Sequence, residues 1–137
     1  MTKKILCATD GSAHTGHAVQ FAAELSAKLG ADLAICTVNV ALGGARGPLI
    51  YSLEDSEVKK VLDSAAATAR KSGARNVTEI ALRSRDAAAA IVTYAEENGF
   101  DHIVTGTGDK HGVSRLMLGS VAADVARRAH CSVTVVR

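Results

Sequence analysis

Five short apolar runs alternate with four helical patterns along this chain, and this alternation constrains the fold more than any other feature of the sequence. The apolar runs lie at residues 3–9, 31–40, 76–82, 101–105 and 132–137. Between them, apolar residues recur at helical spacing over residues 13–29, 52–72 and 86–98, and again after residue 120. Because parallel strands need crossover connections, the sequence predicts an α/β fold: a single doubly wound, five-stranded parallel sheet with helices on both faces. For this sheet we expect the strand order 3-2-1-4-5.

Local signals mark several ends of these elements. Gly30 follows the first helical pattern as a C-terminal cap, and Asp86 stands where the N-cap of the third helix is expected. Residues 41–48 contain three glycines and the only proline of the chain. We therefore expect a flexible loop at residues 41–48.

The composition fits a single domain spanning residues 1–137. Apolar residues make up 47% of the chain and charged residues 22%, a balance typical of a globular protein with a buried core. The uncharged stretches are too short or too polar to span a bilayer, and the amino terminus lacks the hydrophobic region of a secretory signal. We expect a cytoplasmic protein without a membrane segment, and we interpret Cys7, Cys36 and Cys131 as small buried hydrophobic residues.

Charge and residue type argue against two classes of function. A formal net charge of +2 with only 3% aromatic residues is not typical of a nucleic-acid surface, so no nucleic-acid partner is expected. No nucleophile beside a base, pair of carboxylates or set of metal ligands stands out, and the GxSxG elbow is absent. The sequence therefore predicts a binding protein without catalytic residues or a protein-only metal site.

The stretch from residue 106 to residue 120 is the strongest candidate for a ligand site. It follows the fourth apolar run, carries Gly106 and Gly108 near its start, and ends in Gly119-Ser120, where a helical pattern begins. Glycine lets backbone N–H groups approach a ligand, and the first N–H groups of a helix lack intrahelical partners. This combination suits an anion, most plausibly a phosphate.

A second loop is expected to meet this stretch. Thr9 and Asp10 directly follow the first strand, and in open α/β sheets ligands bind beyond the carboxyl ends of the strands where the strand order reverses. Asp10 then has two interpretations: it contacts a ribose hydroxyl or a base, or it shapes the turn before the first helix.

Two common nucleotide motifs do not match the glycine-rich stretch. A Walker loop requires a Gly-Lys pair, and none occurs in the chain. A dinucleotide loop requires GxGxxG after the first strand, whereas Gly106, Gly108 and Gly112 are spaced one residue too long and follow the fourth strand. The spacing counts against NAD.

The chain resembles the universal stress protein family over essentially all of its 137 residues. The resemblance rests on the first strand ending in Ala-Thr-Asp-Gly-Ser, on the glycine-rich stretch with the helix start Leu118-Gly-Ser120, and on the closing Cys-Ser-Val-Thr-Val-Val-Arg. The family's nucleotide-binding pattern is Gly, two residues, Gly, nine residues, and then Gly followed by Ser or Thr. Gly106 matches the first position, and Gly119 with Ser120 matches the last pair.

This resemblance implies a cytoplasmic stress-response protein that binds ATP or another adenine nucleotide, with Mg²⁺, at the carboxyl edge of the sheet. Asp10 would lie near the adenosine and Val38 would line the adenine pocket; the ribose and phosphates would meet Gly106, Gly119, Ser120 and the amide of Val121. Thr9 and Gly108, from the same two loops, complete the candidate site. Slow ATP hydrolysis stays open, although no residue is a clear base. The resemblance also implies a homodimer formed through the β-branched last strand, Val133 to Val136.

Asp109 departs from the family pattern because it stands where the second glycine is expected. A carboxylate close to a triphosphate is unfavourable: two like charges about 4 Å apart cost roughly 4 kcal/mol at an intermediate effective dielectric. Lys110, His111 and Arg115 add nearby groups that can offset this charge. The second hypothesis is therefore a family member without tight nucleotide binding that acts as a dimeric interaction or chaperone-like module.

Overall fold

The structure is a computed structural model, and it describes residues 2–44, 46–107 and 119–137, apart from the side chain of His14. In chain order the elements are β1 (Lys4–Ala8), α1 (Ala13–Leu29), β2 (Asp32–Gly43), β3 (Leu49–Tyr51), α2 (Asp55–Lys71), β4 (Val77–Ser84), α3 (Ala87–Glu97), β5 (His102–Gly106), α4 (Ser120–Arg128) and β6 (Ser132–Val136). The predicted caps are confirmed: Gly30 has a φ of 64° after α1, and the carboxylate of Asp86 accepts a hydrogen bond from the N–H of Ala89 at the start of α3.

Five parallel strands form the sheet around β1. Ile5 of β1 lies opposite Leu33 of β2 on one side and opposite His102 of β5 on the other. β4 pairs with β2, and β6 pairs with β5, each in parallel. The parallel strands therefore run β4-β2-β1-β5-β6, which confirms the predicted order and the α/β class.

The expected count of five strands is wrong, because the segment predicted as a flexible loop contributes to a β-hairpin. β2 continues to Gly43 and pairs antiparallel with the short strand β3, from Ala41 opposite Tyr51 to Gly43 opposite Leu49. Gly43 and Gly44 have positive φ angles of 78° and 96°, which let the chain leave β2 and reverse direction. Within residues 2–44, 46–107 and 119–137 the sheet has six strands and is mixed rather than purely parallel.

Helices cover both faces of the sheet, as predicted. α1 and α2 pack on one face, where Ile5 and Ile35 are fully buried, and α3 and α4 pack on the other, where Leu6 and Ile103 are fully buried. Adjacent residues of β1 therefore point into two different cores, which the alternation of side chains along a strand requires. None of the described helices is long and apolar enough to span a membrane.

Two of the three cysteines are buried as expected. Burial raises the pKa of the Cys36 thiol to about 12 and also raises the pKa of Cys7, so neither thiol ionises readily. Cys131 is only partly buried, so its interpretation as a buried hydrophobic residue is wrong. It lies just before β6, which is an edge strand and therefore has less cover.

Asn39 ties the hairpin to the body of the sheet. Its side chain is almost fully buried; its Nδ2 donates to the carbonyl of Leu53 at 2.7 Å, and its Oδ1 accepts from the N–H of Leu53 at 2.9 Å. The N–H of Ser52 also donates to the carbonyl of Val40 at 3.0 Å. One amide side chain thus satisfies both backbone groups of Leu53, at the point where the chain passes from β3 into α2.

Asn39→Ala is expected to destabilise the protein by about 2–4 kcal/mol, because it leaves two partly buried backbone groups of Leu53 without partners. Urea unfolding followed by circular dichroism measures this loss. The matched control is Ser52→Ala, which removes an exposed hydroxyl that donates to Val40 at 2.9 Å, and it should cost less than about 1 kcal/mol. Equal losses for the two variants would contradict the role assigned to Asn39.

Candidate functional site

A cavity of about 270 Å³ lies at the carboxyl ends of β1, β2 and β5. β1 is the strand from which the chain builds the sheet outward in both directions, so the cavity occupies the point where the strand order reverses. Small-molecule sites typically enclose roughly 300–1,000 Å³, and this cavity is close to the lower end of that range. The described residues that line it are Ala8, Thr9, Asp10, Thr15, Thr37, Val38, Val40, Ala87, Ile91, Thr105, Gly106, Thr107, Gly119, Ser120, Val121 and Ala122.

Most of the residues predicted from the sequence are brought together in this cavity. They come from the turn after β1, the end of β2, the end of β5 and the start of α4, and they are Thr9, Asp10, Val38, Gly106, Gly119, Ser120 and Val121. Gly108, together with Asp109, Lys110, His111 and Arg115, lies outside the described residues. The effect of Asp109 on a ligand therefore stays a prediction.

The turn between β1 and α1 is organised by the carboxylate of Asp10. Its Oδ1 accepts from the N–H of Ser12 at 2.8 Å and from the hydroxyl of Thr15 at 3.0 Å. Burial alone would raise the pKa of Asp10, but the hydrogen bonds from Ser12 and Thr15 outweigh it and hold the pKa below its ordinary value. Asp10 is thus a charged residue that shapes the turn with one oxygen while it lines the cavity.

Buried hydroxyl groups form the floor of the cavity. The hydroxyls of Thr9 and Thr15 lie 2.9 Å apart, and the N–H of Gly11 donates to the Thr9 hydroxyl at 3.1 Å. Thr37 of β2 and Thr105 of β5 are also buried and line the same space. Of these four threonines, only Thr9 was predicted as a site residue. The signal for Thr37 and Thr105 is a polar residue near the carboxyl end of a buried strand.

One wall of the cavity is apolar. It is formed by Val38 and Val40 from β2, Ile91 from α3 and Ala122 from α4. Val38 was predicted, whereas the other three were read only as strand or helix residues. Ile91 and Ala122 are almost fully buried. Ile91 belongs to the core between the sheet and the helices α3 and α4, and Val38 packs against that core, so the wall is continuous with it.

The amino terminus of α4 also lines the cavity. Gly119 is the N-cap, with φ −60° and ψ 152°, and no side chain caps the helix. The first backbone bond of the helix runs from the N–H of Ala123 to the carbonyl of Gly119 at 2.9 Å. The N–H groups of Ser120, Val121 and Ala122 precede that bond and have no intrahelical acceptor, so they and the helix dipole favour an anion.

The described residues contain no group of three or more His, Cys, Asp and Glu side chains that could hold a metal ion. Chemically, the cavity offers one apolar wall, a hydroxyl floor with a single carboxylate, and an anion-binding helix end.

Known proteins resemble this chain in both sequence and fold. The family model of the universal stress protein family matches residues 1–137. Universal stress protein MJ0531 of Methanocaldococcus jannaschii is 36% identical, and the match covers 98% of this chain and 82% of that protein. A universal stress protein in complex with cAMP matches with a TM-score of 0.78 at 25% identity, covering 99% and 97% of the two chains.

A second solved structure also matches this chain. The universal stress protein from Archaeoglobus fulgidus in complex with dAMP matches with a TM-score of 0.75 at 26% identity, covering 98% of each chain. The family model spans the whole chain and the archaeal relative exceeds 30% identity over nearly all of it. The resemblance seen in the sequence is therefore confirmed: this chain belongs to the universal stress protein family.

Proposed function

We propose that this chain binds an adenine nucleotide, with ATP among its ligands, in the cavity at the carboxyl edge of the sheet. The observation that carries the proposal is the lining of that cavity, which combines apolar side chains, buried hydroxyl groups and a helix amino terminus. The complexes of relatives with cAMP and dAMP support the same class of ligand. The protein would act in the cytoplasm as a homodimeric stress-response protein that changes partners when the nucleotide binds.

The base of the nucleotide would lie against the apolar wall. Val38 and Val40 present branched side chains from β2, and Ile91 closes the wall from α3. A flat heteroaromatic ring gains from burial against such side chains. The ribose would then lie near Asp10, whose low pKa keeps it ionised and able to accept hydrogen bonds from ribose hydroxyls.

The phosphates would lie at the amino terminus of α4. The N–H groups of Ser120, Val121 and Ala122 supply three donors in one turn of helix, and Gly119 brings no side chain between them and a ligand. Mg²⁺ would arrive with the phosphates, because its preferred oxygen ligands are then supplied largely by the nucleotide and water.

Ser120→Glu is expected to weaken ATP binding at least about tenfold, since it places a carboxylate at the proposed phosphate site. Adenosine has no phosphates, so its affinity should change by less than about threefold. A negative residue also suits the first turn of a helix, which protects the fold of α4. Isothermal titration calorimetry with ATP and Mg²⁺, and separately with adenosine, measures both effects.

Ser56→Glu is the matched control, because Ser56 lies in the first turn of α2 and does not line the cavity. It should bind ATP as the parent does. Absence of binding heat from the folded parent at millimolar ATP would overturn the nucleotide part of the proposal. Equal weakening of ATP and adenosine by Ser120→Glu would overturn the location assigned to the phosphates.

The second candidate is a family member without tight nucleotide binding that serves as a dimeric interaction or chaperone-like module. The sequence favours it at Asp109, which replaces a glycine of the family pattern and lies outside the described residues. Asp109→Gly distinguishes the two candidates. If the parent lacks ATP binding and the variant gains it, the second candidate is correct; if the parent already binds ATP, the first one is.

The proposed homodimer would form through β6. β6 pairs only with β5 among the described strands, so its outer edge offers free backbone groups, and Val133 to Val136 are only partly buried.

Phosphate hydrolysis is not needed for this function, and no described residue of the cavity stands out as a general base.

Val135→Lys is expected to weaken the β6 dimer at least about tenfold, because a charged side chain at a strand edge opposes pairing with a second strand. Sedimentation velocity at micromolar protein measures the change. Leu29→Lys, at the exposed end of α1, is the control and should leave the dimer intact. A parent that sediments as the 14.1 kDa monomer under these conditions would count against the proposed dimer.

A further inference from the structure

β4 is the second open edge of the sheet. Among the described strands it pairs only with β2, through eight residues in unbroken register from Leu33 opposite Val77 to Val40 opposite Ser84. Thr78, Glu79, Ala81 and Arg83 are exposed. A long exposed edge of this kind presents a row of unpaired N–H and C=O groups to another strand.

The direction of the backbone groups along β4 follows from one hydrogen bond. The carbonyl of Asn76 accepts from the N–H of Leu33 at 3.2 Å, so the backbone groups of residue 76 point toward β2. Backbone groups alternate in direction along a strand, and the register with β2 is continuous. The N–H and C=O groups of Glu79, Ala81 and Arg83 therefore point to the open edge.

The sequence of this edge is self-complementary about Ala81. If an antiparallel copy places Ala81 opposite its own equivalent, Glu79 comes opposite Arg83, Ile80 opposite Leu82, and Thr78 opposite Ser84. The same register makes the outward-pointing residues the hydrogen-bonded pairs of the new ladder, and each such pair exchanges two N–H···O bonds. We propose that two copies of this chain associate through their β4 strands, antiparallel and centred on Ala81.

Charge complementarity selects a second copy as the occupant of this edge. The two-fold axis places Glu79 of each copy opposite Arg83 of the other, so the ion pair forms twice. Glu79 also stands beside the carboxylate of Asp63 on α2, and burial together with Asp63 raises its pKa. Lys59, 3.1 Å from Asp63, and Arg70 lower the pKa of Glu79 in part. A guanidinium from the partner would favour the ionised form further.

Arg83 is held in a position to make this contact. Its guanidinium lies 2.7 Å from the carboxylate of Asp55 and 4.7 Å from the centre of the Tyr51 ring. Its side chain is still 54% exposed, so part of its donor fork is available to a second carboxylate. The contacts with Tyr51 of β3 and Asp55 of α2 thus hold the Arg83 side chain in place while it remains accessible at the edge.

The other face of β4 supplies an apolar contact. Ile80 and Leu82 are partly buried against the core under α3, and each would gain cover from the other residue of this pair on the second copy. Beside them, a groove of about 390 Å³ is lined in part by Thr78, Ile80, Tyr94 and Phe100. The second copy would cover this groove along its β4 side.

Two competing arrangements match the edge less well. Pairing β4 with β6 of another copy would leave Glu79 and Arg83 without charged partners, because β6 consists of Ser, Thr and Val. Shifting the antiparallel register to centre on Ile80 keeps the hydrogen bonds but places Glu79 opposite Ala81. Only the register centred on Ala81 pairs charge with charge and apolar with apolar residues.

The test uses sedimentation velocity on the full chain in the Val135→Lys background, which separates the β4 contact from the proposed β6 contact. The Val135→Lys protein should form dimers of twice 14.1 kDa as its concentration rises. Glu79→Arg alone and Arg83→Glu alone should each weaken this association at least tenfold, because like charges then face each other. The double variant Glu79→Arg/Arg83→Glu should recover it to within about threefold.

Recovery in the double variant separates pairing from a loss of folding, since Arg83→Glu also removes the contact with Asp55. A Val135→Lys protein that stays monomeric up to hundreds of micromolar, or single variants that associate as their parent does, would overturn the proposal. None of the β4 residues lines the cavity, so ATP binding by these variants should equal that of the parent. A result that overturns the β4 contact would therefore leave the proposed nucleotide binding untouched, and the reverse also holds.

Disulfide trapping tests the register. In a Cys131→Ser background, Ala81→Cys should cross-link to a dimer on mild oxidation, because directly opposite residues in a hydrogen-bonded antiparallel pair have Cα atoms about 5.5 Å apart, within the range that a disulfide spans. Thr78→Cys is an equally exposed control that would face Ser84 and should not cross-link. Equal rates for the two variants, or faster trapping of Ile80→Cys, would overturn the proposed register.

Discussion

The two parallel ladders on either side of β1 are the constraint on which the rest of this structure depends. Ile5, Leu6 and Cys7 are fully buried, and β1 fixes the register of β2 and of β5 at once. Because the three strands run in the same direction, their carboxyl ends meet at a single edge. Side chains that are far apart in the sequence, such as Asp10, Val38 and Gly106, are thereby brought to the rim of one cavity.

The chemistry of that cavity follows from how each strand ends. Buried hydroxyl groups line it at Thr9, Thr37 and Thr105. The Thr9 hydroxyl bonds with that of Thr15, and the Thr105 hydroxyl donates to the carbonyl of Gly106, so no charge is needed in the core. The apolar wall consists of side chains of β2 and α3 that remain accessible from the cavity. The start of α4, which Gly119 leaves without a side-chain cap, adds a helix amino terminus whose first N–H groups have no side-chain partner among the described residues, whereas Ser12 and Asp86 cap α1 and α3. These parts suit the base, the ribose and the phosphates of a nucleotide in turn.

Much of this arrangement could be predicted from the sequence, because periodicity and caps are local signals. The alternation alone does not determine the strand order, which was an expectation and is confirmed by the strand pairs. The hairpin could not be predicted: Leu49 to Tyr51 is too short to read as a strand, and it depends on Asn39, which binds Leu53 fourteen positions away. Ile91 and Ala122 were recognisable as helix residues, but their place in the cavity depends on how α3 and α4 pack. The register proposed for β4 could not be predicted either, because it depends on which backbone groups face outward. The hydrogen bond accepted by the carbonyl of Asn76 shows this in the structure.

We propose that the carboxyl edge of the sheet is the nucleotide site of this universal stress protein. The most direct test is a titration with ATP and Mg²⁺ followed by backbone amide chemical shifts. The largest changes in amide shift are expected at Ser120, Val121 and Ala122, with further changes at Asp10 and Val38. Adenosine should change the amide shifts of Asp10 and Val38 but not those at the start of α4. Amide shifts that stay unchanged at millimolar ATP, or that cluster away from this cavity, would contradict it.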